Sequence, residues 1–502
     1  MSLAETPVAL ADDRPDPATL RLALIAIAAT LLFASLGQTI VSTAMPIMVA
    51  DLGGMDHITW VITAYLMAST IGAPVAGKLS DLYGRKIVLQ GGILVFVMGA
   101  VICGTAGSME MVIAGRVVQG LGGGGLIVTC MTAVGDLMPP RERGKAQGFL
   151  GAAFGVSTVI GPLLGGAIVQ SIGWHWIFFV NLPVGVVAFV VLNRALPSPL
   201  ERSGKPVDYL GAALLAAILG CIVLLPSIAG SHGWSSQPVT WLLVGLGLAL
   251  AGFIRTERRA AEPILPLPLF SNNTFLVTNA VGFLVGMGMF GTITFLPLFL
   301  QMVKDVSPTA SGLFLVPMMG GLILSSTLAG RIMSATGHYK LMPVLSTGLL
   351  ALALLGMSRL DASSALWSIG AVMVLVGLGL GPVFAVGVAA VQNAVPRSMM
   401  GVGTASTNMF RLIGGSVGTA VFGAMFSAGL MRNIAGELPE GVSGGIGALG
   451  ANVVQALPKE AQARVLDGFS DALHPIFWAA AAAALLACLA SMLLREEPLG
   501  ET

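Results

Sequence analysis

Gly77-Lys78-Leu79-Ser80-Asp81-Leu82-Tyr83-Gly84-Arg85-Lys86 packs four charges and two glycines into ten residues, between two long apolar runs. Only 10% of the 502 residues are charged, 55% are hydrophobic and the mean hydropathy is +0.89. A soluble chain would carry about a quarter charged residues. Apolar runs of about twenty residues recur here, each long enough to cross about 30 Å of hydrocarbon. The chain therefore reads as a polytopic membrane protein, in which a charged knot between two spans marks a place of function. The knot returns in weaker form 253 residues later, as Gly330-Arg331-Ile332 and Gly337-His338-Tyr339-Lys340.

Working outward, fourteen apolar segments centre near Thr30, Met67, Val97, Gly123, Val159, Ala188, Ile218, Gly247, Met287, Leu322, Leu350, Gly379, Thr419 and Ala483. None alternates with period two, so they are expected to be helices, giving an all-α fold. With the N-terminus placed in the cytoplasm, 18 Lys and Arg fall on that side and 5 on the other, leaving Arg116 and Arg411 inside spans. This asymmetry sets the orientation, with both termini cytoplasmic. The run from Leu20 to about Ala44 is too long for a cleaved signal and reads as a retained first span.

The halves align beyond the knot. An offset of 257 takes Gly120-Leu121-Gly122 to Gly377-Leu378-Gly379, Asp136 to Asn393, Pro139 to Pro396, Gly144 to Gly401 and Gly161 to Gly418. The expected organisation is a cytoplasmic tail (1–19), a six-helix bundle (20–195), a linker with two inserted spans (196–271), a second bundle (272–494) and a tail (495–502). The second bundle carries a long extracytoplasmic excursion at about 430–470.

Two parallel six-helix repeats are the architecture of the major facilitator transporters, and particular motifs resemble theirs. Gly77 to Lys86 is similar to that superfamily's signature loop between its second and third helices. Arg116-Val117-Val118-Gln119-Gly120 resembles the fourth-helix motif. Gly155 through Gly161-Pro162-Leu163-Leu164-Gly165-Gly166 resembles the fifth-helix motif of exporters. Trp174-His175-Trp176 through Asn181-Leu182-Pro183-Val184-Gly185 resembles the sixth-helix entry of fourteen-span drug:proton antiporters of the EmrB and QacA type. The resemblance covers nearly the whole chain. It implies alternating access, small amphipathic substrates, protons as coupling ion, a bacterial inner membrane and a monomer.

It also implies roles for individual residues. Gly77, Asp81, Gly84, Arg85 and Lys86 would form a gate latch. The plain alternative is a topology anchor, which accounts for Lys78 and Lys86 but gives Asp81 nothing to do. Arg116, inside a span, would organise the cavity or coupling together with Gln119 and Asp136, or else snorkel to one end. Arg411, near Asn408, would meet the latch or snorkel. Gly155, Gly161, Pro162, Gly165 and Gly166 would line the interface between halves. Met287, Phe290, Phe295 and Met318 are candidates for the substrate cavity, since Met adapts to varied apolar ligands.

One position departs from the resemblance. Such antiporters usually carry an acid in the first span, within L-D-x-T-I-V-x-x-A-L-P. Here the stretch reads Leu36-Gly37-Gln38-Thr39-Ile40-Val41-Ser42-Thr43-Ala44-Met45-Pro46. Gln38 does not titrate, so coupling would fall to Asp51, His57 or Asp136, or the substrate's own charge would follow the membrane potential. The lack of a midspan carboxylate argues against recognition of cations by charge pairing.

Other classes are disfavoured. Gly120 to Gly125 follows no strand, so it is not a nucleotide site. The four cysteines lie in apolar runs without ligand spacing, and no nucleophile–base pair or metal cluster is visible. No cofactor, metal, nucleic acid or enzyme activity is expected. The leading reading is a multidrug or amphipath exporter. Export of lipid-like metabolites is the second, and an inner-membrane component serving a periplasmic adaptor the third.

Overall fold

A computed structural model describes residues 17–52, 58–196, 207–304, 306, 308–361, 363–434 and 459–496. Among them every regular element is helical, as hydrocarbon requires of a backbone that must satisfy its own hydrogen bonds. The first half comprises α1 (Pro17–Thr39), α2 (Met45–Leu52), α3 (Ile58–Tyr83), α4 (Arg85–Gly104), α5 (Met109–Leu137), α6 (Pro140–Ile172), α7 (Trp176–Phe179) and α8 (Asn181–Ala195). The inserted pair is α9 (Tyr209–His232) and α10 (Gln237–Glu257). The second half comprises α11 (Asn273–Met302), α12 (Pro308–Leu313), α13 (Leu315–Thr336), α14 (Leu341–Met357), α15 (Leu366–Ala394), α16 (Met400–Ile434) and α17 (Lys459–Met492).

Thirteen helices are long and apolar enough to cross a membrane, and α14, with 17 residues, is apolar but shorter. Each apolar centre read from the sequence falls within a helix. The first span ends early, in a 3₁₀ turn at Ile40–Thr43 that leads into α2. The excursion between α16 and α17 lies largely in 435–458, outside the described residues, as do His57 and the linker 197–206.

The sequence repeat is a packing repeat. A Cβ on Gly120 of α5 would sit 2.5 Å from the Tyr65 carbonyl of α3, and one on Gly122 would sit 2.6 Å from Phe96 N of α4. Their partners 257 residues on, Gly377 and Gly379 of α15, approach Met318 of α13 and Leu350 of α14 in the same way. In each half one glycine-faced helix is thus clasped between two neighbours, because only glycine allows backbones so close.

Each half has its own apolar core. The inserted pair does not float beside them. Leu215, Leu219 and Phe253 share a core with Ile264 and Leu265 of the following connector and with Val391, Val395, Val402 and Met409 of the second half. This seats α9 against α3 and α16, over the junction between the halves.

Candidate functional site

Two seams join the halves at the end of the bundle that bears Gly77–Lys86, here called the basic end. In the first, α3 crosses α16 at Gly77 and Gly401, where a Cβ on Gly77 would lie 2.7 Å from the Gly401 carbonyl. One turn later the Asp81 carboxylate, 2% exposed, meets the N-terminus of α16. It accepts from Gly401 N at 2.8 Å and Val402 N at 3.0 Å, two of the amides that a helix start leaves unsatisfied. Gly84, at φ +90°, turns the chain into α4 and so brings Arg85 back over Asp81. Arg85 Nη1 donates to Asp81 at 2.6 Å and its Nε donates to Asp136 of α5 at 2.6 Å. Lys86 Nζ donates to the Asn193 carbonyl of α8 at 2.7 Å. Asp136, considered above as a coupling group, is thus paired with Arg85 of the Gly77–Lys86 loop.

The second seam, between α6 and α13, is built differently. Gly144, Gly148, Gly151 and Gly155 of α6 face Met333, Ser326 and Ile323 of α13, and Gly330 lies against Gly144. The pair Gly330–Gly144 repeats Gly77–Gly401 across the two halves. The place equivalent to Asp81, 253 residues on, is Ser334, which carries no carboxylate. The glycine stripe of the half-interface lies earlier than the sequence motif suggested. Gly155 belongs to it, but Gly161 packs on Thr39 of the first half, Gly165 is buried and a Cβ on Gly166 would meet open space. Pro162 lies in α6, with its side chain outside the described set.

A polar network that sequence reading missed spans the halves beside these seams. Arg143 donates from Nε to the Gly135 carbonyl at 2.9 Å and from Nη1 to the Gln392 carbonyl at 2.9 Å and Asn393 Oδ1 at 2.6 Å. Gln392 Nε2 donates to the Met131 carbonyl at 3.0 Å and Thr404 Oγ1 at 3.0 Å. Gln147 Nε2 donates to the same Met131 carbonyl at 2.7 Å. The pairing of Asp136 with Asn393 in the repeat was the available signal, because both accept from an arginine at the basic end, Arg85 and Arg143.

Arg116 does not snorkel. It is 1% exposed, and it ties three helices of the first half together. Nε donates to the Val61 carbonyl of α3 at 3.2 Å, and Nη1 to the Gly37 carbonyl of α1 at 3.0 Å and Gln119 Oε1 at 2.6 Å. The guanidinium also lies 4.1 Å over the Tyr65 ring. Its partners are dipoles and a π face rather than an acid. Arg411 lies about three turns along α16 from the Asp81 contact. It donates to Asn408 and stacks 4.0 Å from the Phe384 ring.

Above the first seam the halves diverge into a cavity of about 750 Å³. Thr63, Leu66 and Thr70 of α3 form one wall, Leu412, Ser416, Thr419, Ala420 and Gly423 of α16 another, and Val223, Pro226 and Ala229 of α9 the third. Phe290 of α11 reaches in, and Gly415 makes room for its ring. No described lining residue is charged. Of the cavity candidates, Phe290 lines it, whereas Phe295 and Met318 are packed in the second-half core and Met287 lies half-buried against Gly418. Gln38 is half-buried on α1, next to Gly37. Asp51 is at the opposite end, accepting from Trp174 Nε1 at 2.9 Å. Among the described residues no group of His, Cys, Asp and Glu has the arrangement of a metal site.

The sequence matches the Major Facilitator Superfamily over residues 27–419. It is 38% identical over 470 residues to an uncharacterized MFS-type transporter of Mycobacterium tuberculosis, covering 93% of this chain and 68% of the relative. It is 39% identical over 405 residues to the multidrug transporter protein MdtP of Bacillus subtilis, covering 79% and 73%. Multidrug resistance protein 3 of Bacillus subtilis is 31% identical over 460 residues, covering 89% and 90%. Among solved structures, the human organic anion transporter MFSD10 shares the fold at a TM-score of 0.65 and 16% identity, covering 95% of this chain and all of that one.

Proposed function

This chain belongs to the Major Facilitator Superfamily, and from that premise we propose that it is a secondary active exporter of amphipathic compounds, driven by protons and working by alternating access. It is a transporter rather than an enzyme. In this reading it has fourteen spans of the EmrB and QacA type, with both termini and the basic end in the cytoplasm of a bacterial inner membrane, and it acts as a monomer. The latched basic end below and the cavity above it then correspond to an outward-facing state.

The observation that carries the reading is the uncharged cavity directly above a charge-latched seam. At about 750 Å³ it lies in the size range of pockets for drug-sized ligands, roughly 300–1,000 Å³. Its hydroxyls, on Thr63, Thr70, Ser416 and Thr419, suit hydrogen bonding to varied polar groups without demanding a charge. The multidrug names of the Bacillus relatives support the substrate class. The same uncharged lining favours a second reading, export of lipid-like metabolites. Efflux from liposomes under an imposed pH gradient, comparing a cationic dye with a neutral lipid analogue, separates the two. No movement of either compound would count against both.

Ala420 faces the cavity, so Ala420→Trp is expected to block bulky substrates while sparing small ones. Competition by compounds of graded size in the efflux assay checks this; uniform loss across sizes would mean that the variant misfolds, and unchanged efflux of every size would mean that transport bypasses the cavity. Gln38→Asp is expected to change the pH dependence of efflux, by adding a titratable group beside the Arg116–Gly37 link. Superimposable pH profiles would show that Gln38 lies off the coupling route.

A further inference from the structure

We propose that the inserted helix pair is a third gate element, which holds the basic end shut through an ion pair between Lys78 and Glu262. This rests on the alternating-access reading and adds to it what regulates the latch. Lys78 Nζ donates to Glu262 Oε2 at 2.8 Å, with the two side chains 6% and 18% exposed. A lysine serving only as a topology anchor keeps its ammonium in water; this one is withdrawn from it and paired.

Glu262 is held in place by the turn around it. Glu257, the last residue of α10 and itself buried, accepts from Ile264 N at 3.1 Å and Leu265 N at 3.3 Å. That fastens the connector back onto its own helix. Ile264 and Leu265 then bury against Val391, Val395 and Val402, and the chain runs on directly into α11. The connector thus travels with the second half, while Lys78 travels with the first.

The pair spans the same seam as Asp81 and the α16 N-terminus, and Lys78 adjoins Gly77 at the glycine crossing. Whenever α3 and α16 part at the basic end, the pair has to break. Asp208 and Glu257 lie at the basic ends of α9 and α10, while Arg255, Arg258, Arg259 and Arg397 are exposed. Lys78 is the buried cation set against these acids. The repeat supplies an internal comparison. Arg331 occupies the equivalent of Lys78, 253 residues on, and it is exposed. Among the described residues the tie exists at the seam that the inserted helices cover and not at the other.

The test is a distance measurement that needs no substrate. Cys103, Cys130, Cys221 and Cys488 are replaced, spin labels are placed at the exposed positions Ile87 and Ser398, and the distance distribution across the seam is read in lipid nanodiscs. Glu262→Gln and Lys78→Met are each expected to lower the ratio of short to long distances roughly tenfold, since removing one member of a buried pair strands the other. The exchange Lys78→Glu with Glu262→Lys is expected to restore most of the short population. Asp81→Asn serves as the reference for an opened seam. If Asp81→Asn lengthens the distance while both single variants match the wild type, the tether is wrong and alternating access stands. If the singles shift but the exchange restores nothing, the effect is not the ion pair and the proposal falls. A distance unmoved in every variant overturns the tether and the alternating-access reading together.

Discussion

Asp81→Asn is expected to abolish efflux, with at least a thirtyfold fall in rate, while leaving expression and the thermal unfolding temperature near those of the wild type. The carboxylate accepts from Arg85 and from Gly401 N and Val402 N at once. An amide offers one acceptor oxygen and turns an NH₂ toward the remaining donors. Hydrogen bonds to a charged group are worth about 1.5–3 kcal/mol each, and a negative charge at a helix start adds about 0.3–1 kcal/mol. Losing roughly 2 kcal/mol from one gate state moves the equilibrium about thirtyfold. The fold itself is spared, because each half keeps its own core and the glycine seam between α6 and α13 remains. Efflux of an amphipathic dye, set beside size-exclusion and melting profiles, checks both parts. Normal efflux would reduce the loop to a topology anchor.

Arg116→Ala is expected to be inactive, and Arg116→Lys to lose most activity. The guanidinium joins α1, α3 and α5 through donors that diverge from a rigid plane. An ammonium is a point charge on a flexible stem and cannot hold the Val61 and Gly37 carbonyls and Gln119 in the same geometry. The alanine variant also leaves a cavity and unpaired Gln119 Oε1, so its purified yield is expected to fall. The lysine variant is the sharper test, because it keeps the charge. Full efflux by Arg116→Lys would mean that only a positive charge is needed there.

Much of the architecture was legible because lipid leaves few options. Long apolar runs have to be helices, and the glycines at the 257 offset recur because each half needs the same close crossing. The latch loop was legible because charge is scarce in this chain and Asp81 has no anchoring use. What was hidden depends on contacts distant in sequence. Nothing about Lys78 alone points to Glu262, 184 residues away. Much of the cavity is lined by Ala, Gly, Ser and Thr, which carry no chemical signature in a sequence, whereas Met and Phe stand out in one. Those residues bury equally well in a core, which is where Met318 and Phe295 reside. Arg141, Arg143 and Lys145 have the look of a loop, yet α6 starts at Pro140, and this displaced the half-interface glycines toward Gly144.

Sided labelling of the cavity tests the central claim most directly. In a background without the native cysteines, Ser416→Cys places a thiol on the α16 wall of the cavity. A membrane-impermeant maleimide is added to one face of sealed, oriented vesicles at a time. Reaction is predicted from the face opposite the basic end in the otherwise wild-type protein, with a marked shift toward the basic face when Asp81→Asn is added. Labelling from the basic face alone in the wild type, or identical sidedness with and without Asp81→Asn, would contradict a gate latched by Asp81 beneath an outward-facing cavity.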